Sequence, residues 1–479
     1  MIQPLQQISA TTARLSAYIS GALAHPLPRA VIEKGRQHVL DTVAAMISGT
    51  VLRPGQMAIA YAAKLGGARQ ASIVGTRLLT SHVNAALANG MLAHADETDD
   101  SHAPSRTHPG CSVIPSALAV AESVHATGEH LLKAVVLGYD IAARMNYALG
   151  PEEFAGTSRS THSFGGTFGA GAAAGALLRL DELQIRHLLS FCAQQASGIG
   201  CSVRDSEHIE KAFDFGGMPA RNGATAATMA AAGFTGVDDV FSGERNFFEA
   251  YGPAGARPER LSEELGQRFE IMDTNIKKWS VGSPAQSALD AMTALMQEER
   301  VGAGDIDSIQ VHLPTRSART VDNAPMPDVN VQHLLAMLLI DGQLSFHTIH
   351  DRERMQAPEI LALRRRITII ASEELMHARP RRQAIVDAKT RDGRSLSRRT
   401  LAVRGSADNP MDQAEVEAKA LDLIGSVLGM RRARALVRAV AQLETIPDVT
   451  ALRRLWRPPQ NRVPLKEPPD DPVALERRC

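Results

Sequence analysis

The sequence has few aromatic residues, no excess charge of either sign and no long apolar run. Phe, Trp and Tyr make up only 4% of the 479 residues, which favours a core of tightly packed aliphatic helices. The 52 basic and 52 acidic residues cancel, so the chain has no overall field for nucleic acid or an anionic membrane. No apolar run is long enough to span a bilayer, and no secretory leader pattern opens the sequence. We therefore expect a soluble cytoplasmic protein that binds neither nucleic acid nor membrane.

Cysteine is also scarce, and its spacing is uninformative for metal binding. The four cysteines are Cys111, Cys192, Cys201 and Cys479, and no two of them form a CxxC pair. This spacing does not encode a zinc knuckle or an iron–sulfur cluster. We therefore expect neither of these two metal centres.

The first half of the chain has the apolar periodicity of helices. Pro28–Gly49 and Ser81–His94 each place apolar residues at helical spacing, which predicts one buried face on each helix. The small-residue run Gly165–Gly175 has two interpretations, a dinucleotide-binding loop or a buried helix. No β-strand pattern precedes it and its glycines do not match GxGxxG, so the pattern favours a helix packed closely among others.

After about residue 268 the pattern changes to a mixture of strands and helices. Alternating apolar residues predict strands at Ile309–Leu313 and Ile367–Ile369, and a hairpin that pairs Ala384–Ala388 with Leu401–Val403. Pro284–Gln297 and Val331–Leu339 have helical periodicity. Two arginine runs, 364–366 and 379–382, lack interleaved aromatic residues and are predicted to be solvated surface.

These patterns predict a mostly α-helical protein that carries a smaller α+β domain. At this length two domains are the first expectation. The predicted segments are a helical domain at 1–268, an α+β domain at 269–408, helices that return to the first domain at 409–456, and a disordered proline-rich tail at 457–479.

The segment His94–Pro109 holds three histidines, four acids and an arginine after an apolar helix. Groups this close shift one another's pKa, which is typical of proton-transfer or metal sites. One interpretation is therefore a divalent-metal site, although mixed carboxylates and histidines fit no sharp template. Its ligands would be His94, Asp96, Asp99, His102 and His108. Asp99 and Asp100 fit catalysis and helix capping equally well.

Five segments, taken together and in order, resemble the MmgE/PrpD family. They are the 94–109 loop, the helix Val113–Glu122, the segment Thr161–Ala174, the pair Glu210-Lys211, and Lys277-Lys-Trp with Asp290-Ala291. The resemblance implies a helical domain built from both chain ends, an inserted α+β lid domain and a homodimer. It also implies an active site between them that acts on small di- or tricarboxylates with no cofactor and no metal.

The resemblance also implies catalytic residues, position by position. They are Glu97, Ser101, His108, His162, Lys211 and His333. Relatives usually carry Asp at the position of Glu97 and Thr at that of Ser101, and the decarboxylase branch carries Tyr at that of His333. An imidazole at 333 would titrate near neutral pH, where a phenol would not. We therefore expect activity to change between about pH 5 and 8 through His333.

A second group is expected to bind the substrate. It comprises Arg106, Arg159, Lys277, Lys278 and Gln286, of which one of the two adjacent lysines faces the site. Many relatives carry His where this chain has Gln286. Arg106 and Arg159 are predicted either to clamp a substrate carboxylate or to pair with Asp96, Asp99 or Asp100.

The first functional hypothesis is a cofactor-independent lyase, a dehydratase or a decarboxylase of a small polycarboxylate. Positioned acids and bases, with cations that bind carboxylates, are the groups such eliminations require. The second is an epimerase of a small dicarboxylate, in which an acid and a base exchange the proton of one carbon. The third is a divalent-metal-dependent hydrolase or lyase that uses the acidic loop.

Overall fold

The computed structural model describes residues 8–458, which are mostly helical. The helices of the first part are α1 (Ala10–Gly21), α2 (Arg29–Gly49), α3 (Arg53–Leu65), α4 (His82–Ala93), α5 (Gly110–Ser123), α6 (Gly128–Leu149), α7 (Pro151–Gly156), α8 (Thr161–Leu177), α9 (Glu182–Gln195), α10 (Ile209–Ala212), α11 (Met218–Ala231) and α12 (Phe247–Tyr251). Strands β1 (Ala71–Ser72) and β2 (Leu79–Thr80) form a short antiparallel pair. No helix within residues 8–458 is both long and apolar enough to cross a membrane.

Side-chain caps fix the starts of the helices that later carry the site. The hydroxyl of Ser81 accepts a hydrogen bond from the backbone of Asn84 at the start of α4. Ser160 does the same for the backbone of Ser163 at the start of α8. Each cap satisfies an amide that the first helical turn leaves without a partner. The cap at Ser160 therefore fixes the start of α8 at Thr161.

Helix α8 is the small-residue helix that the glycine run predicts. Every residue from Ser163 to Leu177 is buried. A Cβ on Gly169 would lie 2.4 Å from the carbonyl oxygen of Gly138 in α6. The two backbones thus cross at a distance that only glycine allows. The prediction of a buried helix is confirmed.

The second part of the chain mixes helices with one four-stranded sheet. Its elements are α13 (Gln286–Glu299), β3 (Ile306–Pro314), α14 (Thr315–Val321), α15 (Val331–Asp341), α16 (Phe346–Ile349), α17 (Pro358–Arg364), β4 (Ile367–Ser372), α18 (Glu373–His377), β5 (Ala384–Thr390) and β6 (Ser395–Thr400). The strand order is β4-β3-β5-β6, with β3 parallel to β4 and the other pairs antiparallel.

The predicted position of the strand that pairs with β5 is wrong. Strand β6 pairs Ser395 with Lys389 and Thr400 with Ala384, so it ends before Leu401. The turn is tight, because Gly393 adopts a φ of 89° and donates to the carbonyl of Thr390. A tight turn begins the returning strand sooner than the apolar pattern at 401–403 suggests.

The buried apolar side chains form two clusters. The first core draws on residues 15–276, on Phe346, and on the segment 411–456. The second core draws on residues 281–388 and includes the inner faces of α13, α15 and the sheet. The C-terminal helices α19 (Gln413–Leu428), α20 (Met430–Val440) and α21 (Arg453–Trp456) therefore contribute to the first core. From residue 459 onward, the predicted tail lies outside the described residues.

Candidate active site

The acidic loop 94–109 connects α4 to α5, and its four acids are all buried. A buried carboxylate is costly unless cations or hydrogen bonds compensate it. Each acid of the loop has its own set of partners, so the four act in different ways.

Asp100 has structural partners. Its carboxylate accepts hydrogen bonds from the Tyr139 hydroxyl at 2.6 Å and from the backbone amide of Gly110 at 3.0 Å. His38 Nδ1 lies 2.7 Å from it, and all of these groups are buried. Because Gly110 begins α5, Asp100 satisfies a helix-start amide as the capping interpretation predicts.

Asp99 lies between two histidines. Its oxygens are 2.9 Å from Nδ1 of His94 and 3.0 Å from Nδ1 of His108, and Lys277 Nζ lies 3.5 Å away. Burial alone would raise the pKa of Asp99, but His94, His108 and Lys277 hold it well below its usual range. Asp99 thus stays ionised and orients the ring of His108.

Glu97 lies between two lysines. Its carboxylate pairs with Lys211 Nζ, and Lys277 Nζ lies 3.7 Å away while donating to the Glu97 carbonyl at 2.6 Å. Burial opposes ionisation, yet Lys211 and Lys277 hold the pKa of Glu97 well below its usual range. In return Glu97 outweighs burial and raises the pKa of Lys211. The Glu97 carboxylate and the Lys211 ammonium are therefore both charged at neutral pH.

Lys277, rather than Lys278, is the lysine that faces this cluster. Lys277 is 3% exposed, whereas Lys278 Nζ lies 4.8 Å from the ring centre of Trp279. The sequence left open which of the two adjacent lysines faces the site. The directions of their side chains decide for Lys277.

Phe215 organises the aromatic side of the site. Its ring stacks on that of His162 with centroids 3.6 Å apart, and on that of His94 at 4.5 Å. Lys211 Nζ lies 5.2 Å from the same ring. Phe215 belongs to a π-helical turn, Phe213–Gly217, between α10 and α11. Such single π turns are frequent at functional sites because they redirect side chains.

His162 is held neutral by this environment. Burial is the main cause, and His108, His94 and Lys211 add to it in lowering the pKa of His162 well below its usual range. Its Nδ1 atom is buried without a partner among the described residues. A neutral imidazole can accept a proton, so His162 has the charge state of a general base.

Further buried groups lie around the cluster, and the sequence did not indicate them. His208 Nδ1 is 4.0 Å from Glu97, and burial together with Lys211 lowers its pKa to about 3. Burial raises the pKa of Asp328 to about 6, with Glu97 and Asp96 adding to the shift. Asp328 comes from the short helical turn Pro327–Val329, next to the second core, so no local pattern links it to the loop.

His350 pairs with the remaining acid of the loop. Its Nε2 lies 3.1 Å from Asp96, and its Nδ1 lies 2.8 Å from the carbonyl of Phe346. Burial opposes protonation, but Asp96 raises the pKa of His350 to about 9. A charged histidine from the second part of the chain thus fixes the residue that precedes Glu97.

The C-terminal part of the chain also reaches the loop. Lys419 of α19 donates to the carbonyl of Thr98 at 2.9 Å and pairs with Asp41 of α2 at 2.6 Å. Both of these side chains are buried. The backbone between Glu97 and Asp99 is therefore held by a cation that lies 321 positions further along the chain.

A cleft of about 860 Å³ opens beside this cluster. Ser101, Lys277 and Gln286 line it, together with the segments 379–382 and 403–408. Lys277 is common to the cleft and to the buried cluster, so the cleft gives a small molecule access to Lys277. Of the predicted surface run 379–382, Arg381 is exposed, but Arg382 is half-buried in the cleft wall, where the prediction is wrong.

The two predicted arginines pair with other parts of the protein, and Gln286 lines the cleft. Arg106 pairs with Glu152 at 2.5 Å, and Arg159 donates to the carbonyl of Tyr251 at 2.9 Å, so neither pairs with the loop acids. Gln286 is buried and hydrogen-bonds the backbone of Trp279 and Val281, which shapes the cleft floor.

His333 lies in α15 within the second core and is fully buried. Burial, with Arg364 and Arg354, lowers its pKa to about 4. The expected titration of His333 between pH 5 and 8 is therefore wrong, because a buried imidazole near two guanidiniums resists protonation. Its assignment as a catalytic residue stays a prediction.

The five predicted metal ligands do not converge on one point. Asp96 faces His350, and His102 faces Ser105 and Glu270. Closer sets do exist within residues 8–458. The triples His94–Asp99–Cys111 and His94–Glu97–His208 each bring their ligand atoms within 4.8 Å of one another. The ammonium groups of Lys211 and Lys277 already compensate the carboxylates of these sets.

Comparison with known proteins agrees with the sequence motifs. The MmgE/PrpD N-terminal domain matches residues 13–258, and the MmgE/PrpD C-terminal domain matches residues 279–445. The chain belongs to the MmgE/PrpD family. The boundary at 279 nearly coincides with the change from the first core to the second, which begins at Val281.

Two curated members of the family match over almost their whole length. The cis-aconitate decarboxylase-like protein oryM of Aspergillus oryzae is 23% identical, over 93% of this chain and 96% of that protein. Cis-aconitate decarboxylase of Homo sapiens is 22% identical, over 94% of this chain and 95% of that protein. Family membership thus confirms the resemblance, and it is consistent with a carboxylate lyase.

Proposed function

We propose that this MmgE/PrpD protein is a lyase that removes water or carbon dioxide from a small di- or tricarboxylate. The observation that carries the proposal is the buried array Lys211–Glu97–Lys277 near neutral His162, with Lys277 also lining the cleft. The array offers cations for carboxylates and a base for a carbon-bound proton. These side chains are themselves the acid, the base and the cations, so the proposal invokes no cofactor.

In a dehydration, His162 takes a proton from the carbon next to a carboxylate. The electron pair of that C–H bond forms the double bond as the hydroxyl leaves with a proton and departs as water. Lys277 binds the carboxylate and stabilises the enolate-like charge that develops on it. The Lys211 ammonium supplies the proton to the hydroxyl, and Glu97 keeps that ammonium charged.

In a decarboxylation, the carboxylate leaves as carbon dioxide and its bonding electron pair stays on the carbon. That carbon then takes a proton from an acid, a role that the Lys211 ammonium fills in the same geometry. Ser101, which lines the cleft, is placed to bind the substrate, and His108 is oriented by Asp99. Both reactions therefore use one arrangement of acid, base and cations.

An epimerase is the second candidate, and Asp328 favours it. Its carboxyl, with a pKa of about 6, reaches the cluster from the second part of the chain, while His162 comes from α8 of the first core. An epimerase needs an acid and a base on opposite faces of one carbon. His162 and Asp328 are the proposed pair.

We also propose that the two cores correspond to two domains, with the second acting as a lid over the cleft. The segments 379–382 and 403–408 line the cleft together with Ser101 and Lys277, as residues of a lid would. A homodimer is part of the proposal as well, because chains of this family type with few aromatic residues gain further burial by two-fold association. Sedimentation that shows a stable monomer at micromolar concentration would contradict it.

Deuterated water distinguishes the reactions. The protein is incubated in deuterated water with citrate, methylcitrate, cis-aconitate and amino-dicarboxylate-derived substrates. The products are identified by mass spectrometry and NMR. Release of water or carbon dioxide supports the lyase, whereas deuterium gained without either supports the epimerase.

Variants link any observed turnover to the site. His162→Ala and Lys211→Ala should each lower kcat on the order of a hundred- to ten-thousand-fold in a folded protein. Near-normal kcat in both folded variants would reject the proposed residues.

A further inference from the structure

The arginines around the cleft differ in how their charge is compensated. Arg381 and Arg106 both pair with Glu152, and Arg404 pairs with Glu415. Arg379 donates to the backbone carbonyls of its own segment. The charges of Arg381, Arg106 and Arg404 are therefore already compensated within the protein, whereas Arg379 is exposed to solvent.

Arg382 is different. Within residues 8–458 no carboxylate oxygen lies within 4.0 Å of its guanidinium, and its side chain forms no hydrogen bond. It is nevertheless half-buried in the cleft wall, and its backbone has a φ of 65°, which a non-glycine residue seldom adopts. The backbone of Arg382 is thus strained, and its long cationic side chain lines the cleft.

The electrostatic surroundings of Arg382 favour the binding of an anion. Burial lowers the pKa of its guanidinium, Arg381 and Arg106 add to that shift, and the distant carboxylate of Glu97 opposes it. A half-desolvated guanidinium without a counter-ion is unfavourable. A planar carboxylate would supply the two acceptors that its fork of N–H donors matches.

We propose that Arg382 binds a substrate carboxylate remote from the reacting carbon and so selects for molecules with at least two carboxylates. The proposal rests on the proposed function, in which Lys277 binds the carboxylate next to the reaction. Arg382 and Lys277 both line this cleft. A monocarboxylate can satisfy only one of them, whereas a di- or tricarboxylate can satisfy both.

Equilibrium binding of non-reacting probes tests this inference separately from turnover. Calorimetry compares tricarballylate, a saturated tricarboxylate, with butyrate, a monocarboxylate, on the full-length protein. The variants are Arg382→Gln, which removes the charge, and Arg382→Lys, which keeps the charge but loses the planar fork. Arg398→Gln is the matched control, because Arg398 is exposed on β6, pairs with Glu298 and does not line the cleft.

We expect Arg382→Gln to raise the Kd for tricarballylate on the order of tenfold or more, as loss of a charged hydrogen-bonded pair does. Arg382→Lys should fall between the wild type and Arg382→Gln. Butyrate binding should change no more in Arg382→Gln than in Arg398→Gln. Circular dichroism and the unfolding temperature verify that each variant is folded.

Three results would overturn the inference. They are equal weakening by Arg382→Gln and Arg398→Gln, equal weakening for tricarballylate and butyrate, and no measurable binding of tricarballylate by the wild type. The proposed function fails on a different result, namely turnover that survives in His162→Ala and Lys211→Ala. The two failures are therefore distinguishable, because one is measured by binding and the other by kcat.

Discussion

The imidazole of His162 lies face to face with the ring of Phe215, with their planes inclined by 15°. This stack covers one face of the proposed base and keeps water from it. The same phenyl ring touches Lys211 and His94, so one aromatic side chain sets the distances among three titratable groups.

Replacing Phe215 with Leu should raise the pKa of His162 and lower kcat. Burial is the main reason that this pKa is low, and a smaller side chain admits water beside the imidazole. The stack itself contributes about 0.5–1.5 kcal/mol. NMR titration of the histidine gives the pKa. Phe213→Leu is the control, because Phe213 lies two residues away and packs under Arg221; equal effects of both variants would contradict the assignment.

The adjacent lysines 277 and 278 make a matched pair of variants. Lys277→Ala should lower kcat/KM on the order of a hundredfold or more, because it removes the cation that contacts both Glu97 and Asp99. Lys278→Ala should retain activity, since its ammonium lies over Trp279. The two variants have the same change in charge and size. Comparable losses in both would show that net charge, and not position, governs the rate.

The pair His350–Asp96 should make stability depend on pH. The pKa of His350 is raised to about 9, so its contribution is fully present below about pH 6.5 and is lost as pH rises through 9. The upper bound is about 3 kcal/mol. His350→Gln should flatten the unfolding temperature over this range. His347→Gln, at an exposed position of the short helix α16 that precedes His350, should leave the slope unchanged. A wild-type profile without a decline between pH 6.5 and 9 would refute the pair.

Gly216→Ala should destabilise the protein and displace the π turn. A Cβ on Gly216 would lie 2.1 Å from the carbonyl oxygen of Gly90 in α4, and neither backbone can yield cheaply. Overpacking of this kind costs roughly 1–3 kcal/mol or more. Urea unfolding measures the loss. Gly156→Ala is the control, since a Cβ there meets nothing within 4 Å; similar midpoints for the two variants would be the contrary result.

Local patterns were sufficient for most of the helices. Periodicity predicted α2 and α4 to within one residue at each end, because each buries a continuous apolar face. The small-residue run predicted α8 without its first turn. The hairpin was misplaced because register depends on the turn, and apolar residues at 401–403 follow the strand rather than form it. Strand patterns carry less information about their bounds than helical ones.

The site was predictable only where its residues share one segment or one family motif. The loop 94–109 could be found because titratable residues cluster there in the sequence, and Lys211 because it matches a motif of the family. Phe215 had an available signal, since it lies four residues after Lys211, on the same side of a helical turn. Asp328, His350 and Arg382 had none, because tertiary packing of the second part of the chain brings them to the cluster.

The hydrogen bond from Lys419 to Thr98 links the structure of the site to the order in which the chain is synthesised. The acidic loop emerges from the ribosome long before residue 419, and N-terminal segments generally fold first. Until α19 arrives, Asp41 and the Thr98 carbonyl lack the cation that they share in the finished molecule. A nascent chain can therefore build α2, α4 and α5 around a loop that is not yet in its final shape. A fragment that stops before α19 therefore carries every residue of the loop but lacks the cation that holds the Thr98 carbonyl.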